Sequence, residues 1–188
     1  MRKVVAYELV SLDGVAEDPD QFVTDFDEVM EENLASVIAT QDTVVLGRRT
    51  YDEWARFWPR SDIEPFATFI NGVEKLVATS APLVPAWRNA TAIPGAIGPF
   101  LEALRTRPGR DVGVHGSITL TRALLECGLV DELHLVIAPA LVARGRRLFD
   151  GAPPRRFALT RCVVSPAGYV LADYATLDAS RGSGRSRD

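Results

Sequence analysis

Cysteine is nearly missing: Cys127 and Cys162 are the only two in 188 residues. That is too few for a disulfide framework, and they stand too isolated for a zinc site, so both are expected as small core residues. Long apolar runs are missing too. The most apolar stretch, 133–143, contains His134 and Pro139 and is far too short to span a bilayer, so no membrane partner is expected. No export signal is visible: Arg2 and Lys3 precede a short strand-like run that Glu8 interrupts. A cytoplasmic protein is the expectation. Positive charge is not in excess, because Lys plus Arg number 21 against 25 Asp plus Glu, a net charge of −4. That argues against nucleic acid as a partner. Neither G-x-G-x-x-G nor G-x-x-x-x-G-K-[ST] occurs, so the usual Rossmann and P-loop readings lose support. H-x-E and P-C-x-x-C are also absent, so no zinc deaminase is expected. There is no internal repeat.

The chain that remains is 47% hydrophobic and 24% charged, the balance of a globular protein. Its length suits one domain with a sizeable core, placed at 1–178; 179–188, small and charged, is expected to be a disordered tail. The first strand is predicted at 4–10 and a helix at 22–41, where Val23, Phe26, Met30, Leu34, Val37 and Ile38 recur three and four apart. A second strand follows at 43–46, with a short helix from about Thr50. A Pro- and aromatic-rich loop covers 57–66. Strands are predicted at 74–79, 90–93, 111–115 and 132–138, with helices at 99–107 and from Ser117 to Cys127. Gly128 terminates the last of these. Two runs at 156–164 and 169–177 flank "SPAG" as an antiparallel hairpin. Alternating strands and helices imply an α/β fold with a mostly parallel sheet covered on both faces.

Two strand-to-helix corners stand out. In "LGRRTY" Gly47 permits a tight turn, Arg48 and Arg49 suit phosphate oxygens, and Thr50 suits a helix cap or a phosphate donor. Two cations oppose the dipole at a helix N-terminus unless an anion compensates, which favours an anion over an ordinary exposed helix start. In "VGVHGSITL" Gly116 and Ser117 form a second such corner. Two corners in one sheet suit the two ends of a dinucleotide.

Taken in order, "SLDG", "VVLGRRTY", "VHGSITL" and "GLVDELHLVIAPALVARGRRLFDG" resemble the dihydrofolate reductase-like superfamily. The nearest branch contains the reductase domain of the bifunctional riboflavin-biosynthesis deaminase-reductase and its stand-alone homologues. The resemblance covers about residues 2–178. It implies a three-layer dihydrofolate reductase-like fold and an NADPH-dependent reductase of a small heterocyclic, pterin- or riboflavin-precursor-like substrate. A non-catalytic dinucleotide- or ligand-binding protein with the same fold is the alternative. By match to the motifs, Gly47, Arg48, Arg49 and Thr50 would bind cofactor phosphates, with Thr79 and Ser80 near the 2′-phosphate. His115, Gly116, Ser117 and Ile118 would form the second phosphate loop, where folate enzymes carry a Gly-Gly pair. Ala6, Leu12, Gly14 and Val15 would lie near the nicotinamide. The branch also implies a homodimer.

The substrate acid is sought on the first helix. Asp27 and Glu31, four apart, edge its apolar stripe, and a partly buried carboxylate there would serve as an acid. A solvated acidic face is the other reading. Asp13 suits either holding its turn or touching ligand. His134 reads as structural, and His115 sits at the phosphate loop. "WARFWPR" offers either a wall for a flat heterocycle or an aromatic core.

Overall fold

The computed structural model describes residues 1–177; the tail expected at 179–188 lies outside the described residues. The strands are β1 (Val4–Ser11), β2 (Gln41–Gly47), β3 (Glu74–Ala78), β4 (Ala90–Ile93), β5 (Asp111–His115), β6 (Glu132–Ala138), β7 (Phe157–Val164) and β8 (Val170–Thr176). The α-helices are α1 (Glu28–Ile38), α2 (Arg48–Phe57), α3 (Phe66–Gly72), α4 (Ile97–Arg105) and α5 (Ile118–Glu126). All the strands join one 8-stranded sheet in the order β4-β3-β2-β5-β1-β6-β8-β7. β1 to β6 pair in parallel, and the hairpin β7–β8 adds antiparallel to β6.

Side-chain alternation along the strands feeds two cores. Val4, Ala6, Val10 and Val45 pack toward α4 and α5, with Leu101, Leu104, Ile118 and Leu124 opposite them. Val5, Tyr7, Val44 and Leu46 pack the other way, against Met30 and Leu34 of α1, Tyr51 of α2 and Ile70 of α3. A central parallel strand buried on both faces needs apolar residues at nearly every position, and β1 obeys this except at Glu8 and its last residue, Ser11.

The helix expected at 22–41 is shorter than its periodicity suggested. Asp27, in extended conformation, caps α1 and accepts a bond from Met30 N, so the helix starts at Glu28. Ahead of it lies a 3-10 turn at Pro19–Gln21, and Phe22 reaches the core from the loop. Apolar spacing was preserved across a break in backbone conformation. Gln41 belongs to β2 instead. Helix α2 begins at Arg48 with Gly47 as its N-cap, earlier than the expected Thr50. Helix α3 follows Pro65 and was not predicted. Cys127 and Cys162 are both exposed and free, contrary to the core placement. Cys127 follows α5 as its C-cap, and Cys162 lies on β7, the edge strand.

Candidate functional site

The C-terminal ends of β1, β2 and β5 open into a cleft of about 960 Å³. Ligands of open parallel sheets bind at such strand ends, and the volume is at the upper end for small-molecule sites. Two loops set its geometry. Gly47 N–H donates to Ser117 Oγ (3.0 Å), Ser117 Oγ donates to Thr50 Oγ1 (2.9 Å), and Thr50 Oγ1 donates to Gly116 O (3.2 Å). This hydroxyl chain ties the β2–α2 corner to the β5–α5 corner. Ser117 and Thr50 are therefore buried and committed to protein partners. Neither acts as a side-chain helix cap, contrary to expectation; the hydroxyls are used across the corners instead. As a result, α2 and α5 both start without a side-chain cap. Their first-turn N–H groups and dipole ends face the cleft, where an anion would be stabilised.

Gly116 has φ 59°, and a Cβ there would stand 2.9 Å from Trp54 Cζ2. A left-handed backbone pressed against an indole ring demands glycine. The cis peptides of the described chain are Glu64–Pro65 and Val84–Pro85, so His115–Gly116 is trans.

Arg48 and Arg49 line the cleft at the start of α2. Arg48 Nε pairs with Asp52 (2.8 Å), and its NH1 group donates to Pro82 O. Arg49 pairs with Glu53 (3.0 Å) and Glu17 (3.2 Å). The dipole conflict read from the sequence is thus offset by carboxylates one turn along the helix. An anionic ligand would share these arginines rather than find them free.

Of the residues singled out from the sequence, Gly47, Arg48, Arg49, Thr50, His115, Gly116, Ser117, Ile118 and Glu31 lie on the cleft wall. Ala6, Leu12, Gly14, Val15, Thr79, Ser80 and Asp27 do not. Ala6 is fully buried in the α5-side core. Gly14 O accepts from Leu148 N, and Val15 bridges Arg147, so the "SLDG" turn is covered by the 140s loop. Leu12 is 62% exposed away from the cleft. Thr79 and Ser80 follow β3, whose last residue, Ala78, reaches the wall instead. From β1 the wall takes Tyr7, Glu8 and Leu9.

The acid expected at Asp27 is corrected. One carboxylate oxygen caps α1 through Met30 N and the other accepts from Ala167 N. Burial pushes its pKa up, but the bonds from Ala167, Ser165 and Met30 outweigh that, and the net direction is down. A carboxylate held ionised is no proton donor. Glu8 was missed as a candidate. It is fully buried beneath α5, and Thr121 Oγ1 donates to its Oε1 at 2.6 Å. Burial lifts its pKa from 4.5 to about 7, against the smaller downward pull of Thr121. The signal was present as a lone acid in an apolar strand.

Asp13 holds its turn and more. Its Oδ1 accepts from Ser11 Oγ and Val142 N, and its Oδ2 accepts from Ala143 N and pairs with Arg147. These bonds hold its pKa down at about 2. Beside it Glu17 pairs with Arg146, so "SLDG" and "GRRLFDG" clasp each other. His115 is buried between Phe66 and Phe69 and shares a 2.8 Å hydrogen bond with Gln41 Oε1. Burial, with a smaller push from His134, lowers its pKa to about 3, so it stays neutral. His134 Nδ1 bonds Asp173 at 2.8 Å within the sheet, a structural role. From "WARFWPR", Trp54, Phe57 and Trp58 line the cleft.

Comparison with known proteins agrees with this architecture. The Bacillus subtilis (strain 168) protein YyaP, itself uncharacterised, is 26% identical over 162 residues, 79% of this chain and 80% of that one. A putative riboflavin biosynthesis protein from Shewanella sp. PV-4 has the same fold with TM-score 0.76 at 17% identity, over 93% of this chain and 99% of the other. A pyrimidine reductase-like protein from Corynebacterium diphtheriae superposes with TM-score 0.63 at 16% identity, over 94% and 92%. The family model of the RibD C-terminal domain matches residues 2–171. With that match spanning nearly all of the described fold, the chain belongs to the RibD C-terminal domain family.

Proposed function

We propose that the protein is an NADPH-dependent reductase acting on a small heterocycle of the riboflavin-pathway type. The observation that carries this reading is the pair of uncapped helix starts, locked together by Ser117 and Thr50 at one end of an aromatic-walled cleft. The donor set fits a dinucleotide: first-turn N–H groups of α2 and α5 for the pyrophosphate, and the Arg48 and Arg49 guanidinium groups for a 2′-phosphate. When bound, the dinucleotide would supply the hydride. The chain would then orient the acceptor ring against it and exclude water, which is where positioning lowers the barrier. Glu8 is the wall residue that holds a proton near neutral pH. With Oε1 taken by Thr121, Oε2 is the atom that carries it.

Side-by-side titration with NADPH and NADH, followed by tryptophan fluorescence, tests the reading. A charge-assisted hydrogen bond is worth about 1.5–3 kcal/mol, so NADPH should bind at least about tenfold tighter, and Arg48→Ala should remove most of that margin. Equal affinity would overturn the role given to the pair; no binding of either would leave a ligand-binding protein of the same fold. A homodimer belongs to the same proposal: the edge strand β7 exposes Leu159 and Val164, and light scattering should return twice 20.5 kDa. Two exposed free thiols suit a reducing compartment, so we assign the protein to the cytoplasm.

A further inference from the structure

Lysine is scarce in this chain. Among 21 basic residues only Lys3 and Lys75 are lysines, the rest arginine. Lys3 pairs with Glu132 at the surface. Lys75, on β3, is fully buried and has no carboxylate partner among the described residues. Its Nζ donates instead to Ile70 O and Val73 O, both at 2.8 Å, and stands 4.6 Å from the centre of the Trp87 ring. A compact ammonium with three rotatable donors meets two carbonyls and a ring face at once, which a planar guanidinium does not. Burying a charge without an anion is costly, and a neutral side chain of equal length would fill the same space without that cost.

What the ammonium holds is the end of α3. The last carbonyls of that helix are met from outside it: Val73 N donates to Phe69 O, Lys75 Nζ to Ile70 O and Asn89 Nδ2 to Gly72 O. Lys75 thus sets a positive charge at the negative end of the helix dipole. No residue of α3 or β4 is charged. Glu74 accepts from Thr43, and Asp42 on the neighbouring β2 pairs with Arg2. Arg88, next to Trp87, is the remaining charge that acts on Lys75. In turn α3 carries the cleft wall. Asn71 Nδ2 donates to Trp58 O (2.8 Å), and its Oδ1 accepts from Trp87 Nε1 (2.9 Å). The Phe66 ring meets Trp58 at 4.8 Å, His115 at 5.4 Å and Trp54 at 5.5 Å. Trp54 rests on Gly116 at the β5–α5 corner. Wall and corner are therefore one packed body, with the 7 residues of α3 between it and Lys75.

Resting on the reading of this cleft as the reductase site, we infer that Lys75 is a positioning residue for it: the buried ammonium fixes the end of α3 and, through Asn71 and Phe66, the places of Trp58 and Trp54 on the wall. The charge does this together with the length of the side chain. A neutral amine keeps two N–H donors but loses the attraction to the Trp87 ring and to the helix end, so the wall loosens when Lys75 gives up its proton. Burial, with a smaller push from Arg88, brings the Lys75 pKa down from 10.5 to about 8, where that loss can be watched.

The test takes the full chain from about pH 6.5 to about pH 9.5, spanning the lowered lysine pKa. Carbon-13 at lysine Cε gives two NMR signals, and acrylamide quenching of fluorescence reports the half-buried Trp54 and Trp58, since Trp87 is covered. Quenching should rise at least about 1.5-fold with the midpoint of the Lys75 signal, near pH 8, and NADPH affinity should fall at least about threefold over the same range. Lys75→Met should show neither step. Quenching that stays flat across the range overturns the inference, and so does an equal step in the Met variant. Should that variant not fold, Lys3→Arg leaves Lys75 as the sole lysine, and coincidence or divergence of the two midpoints decides. If NADPH binds at no pH while the quenching step follows Lys75, the reductase reading falls and the positioning role stands. NADPH binding with flat quenching gives the reverse.

Discussion

Replacing Glu8 by Gln keeps the shape of the side chain and removes its ionisation. In the unfolded chain the carboxyl titrates near 4.5, whereas under α5 it titrates near 7. A carboxyl whose folded pKa is raised binds more protons in the native state, so the wild type loses stability as pH climbs from 4.5 through 7. The Gln variant has no such loss. Between pH 5 and pH 8 the linkage amounts to about 2.5 kcal/mol. The variant should therefore gain roughly that much on the wild type across this interval, whatever its absolute stability at pH 5. Urea unfolding of both proteins at pH 5, 6, 7 and 8 measures it, and the other titrating groups cancel in the comparison. A difference that stays constant with pH would refute the buried, proton-holding Glu8, and with it the proton role assigned to that residue.

Other outcomes follow from the same geometry. Ser117→Ala strips Gly47 N–H and Thr50 of a buried partner, which should cost about 1–3 kcal/mol in urea unfolding, and NADPH affinity should fall with it. Gly116→Ala adds a Cβ 2.9 Å from Trp54 in a left-handed backbone; strain and overpacking together predict a loss of about 2–4 kcal/mol, and a loss under 0.5 kcal/mol would contradict the packing. Asp13 has a depressed pKa, so its contribution is complete above about 3.8 and fades as pH falls toward about 2. The melting-temperature gap between wild type and Asp13→Asn should accordingly close over that range in thermal scans.

Much of the scaffold was legible because periodicity and turn chemistry agreed locally. The boundaries of β4, β5 and β6 came from short apolar runs bounded by glycine, proline and charge. The start of α1 was not legible, since Phe22 and Val23 pack into the same core from a loop. The two corners were visible as strand–glycine–hydroxyl patterns. Their hydroxyls, however, bond between segments as much as 70 residues apart (Gly47 to Ser117), which no local pattern encodes. The commitment of Asp27 was hidden for a similar reason. Asp27 had the right spacing on a helix, but capping and a bond from Ala167 claimed both of its oxygens. Glu8 depended on where α5 would lie over β1, a tertiary fact.

The hydroxyl chain from Gly47 through Ser117 and Thr50 to Gly116 makes a calliper of the two corners. Its jaws are set by the sheet, not by what they grip. A ligand with two phosphate groups at the right separation meets both jaws without induced movement, while a mononucleotide meets only one. The aromatic end of α2 touches the calliper through Trp54, which rests on Gly116, and through Phe66, which packs on both Trp54 and His115. Phe57 and Ile63, each about half exposed, are therefore the positions where substitution would reshape that wall while leaving the calliper's hydrogen bonds in place.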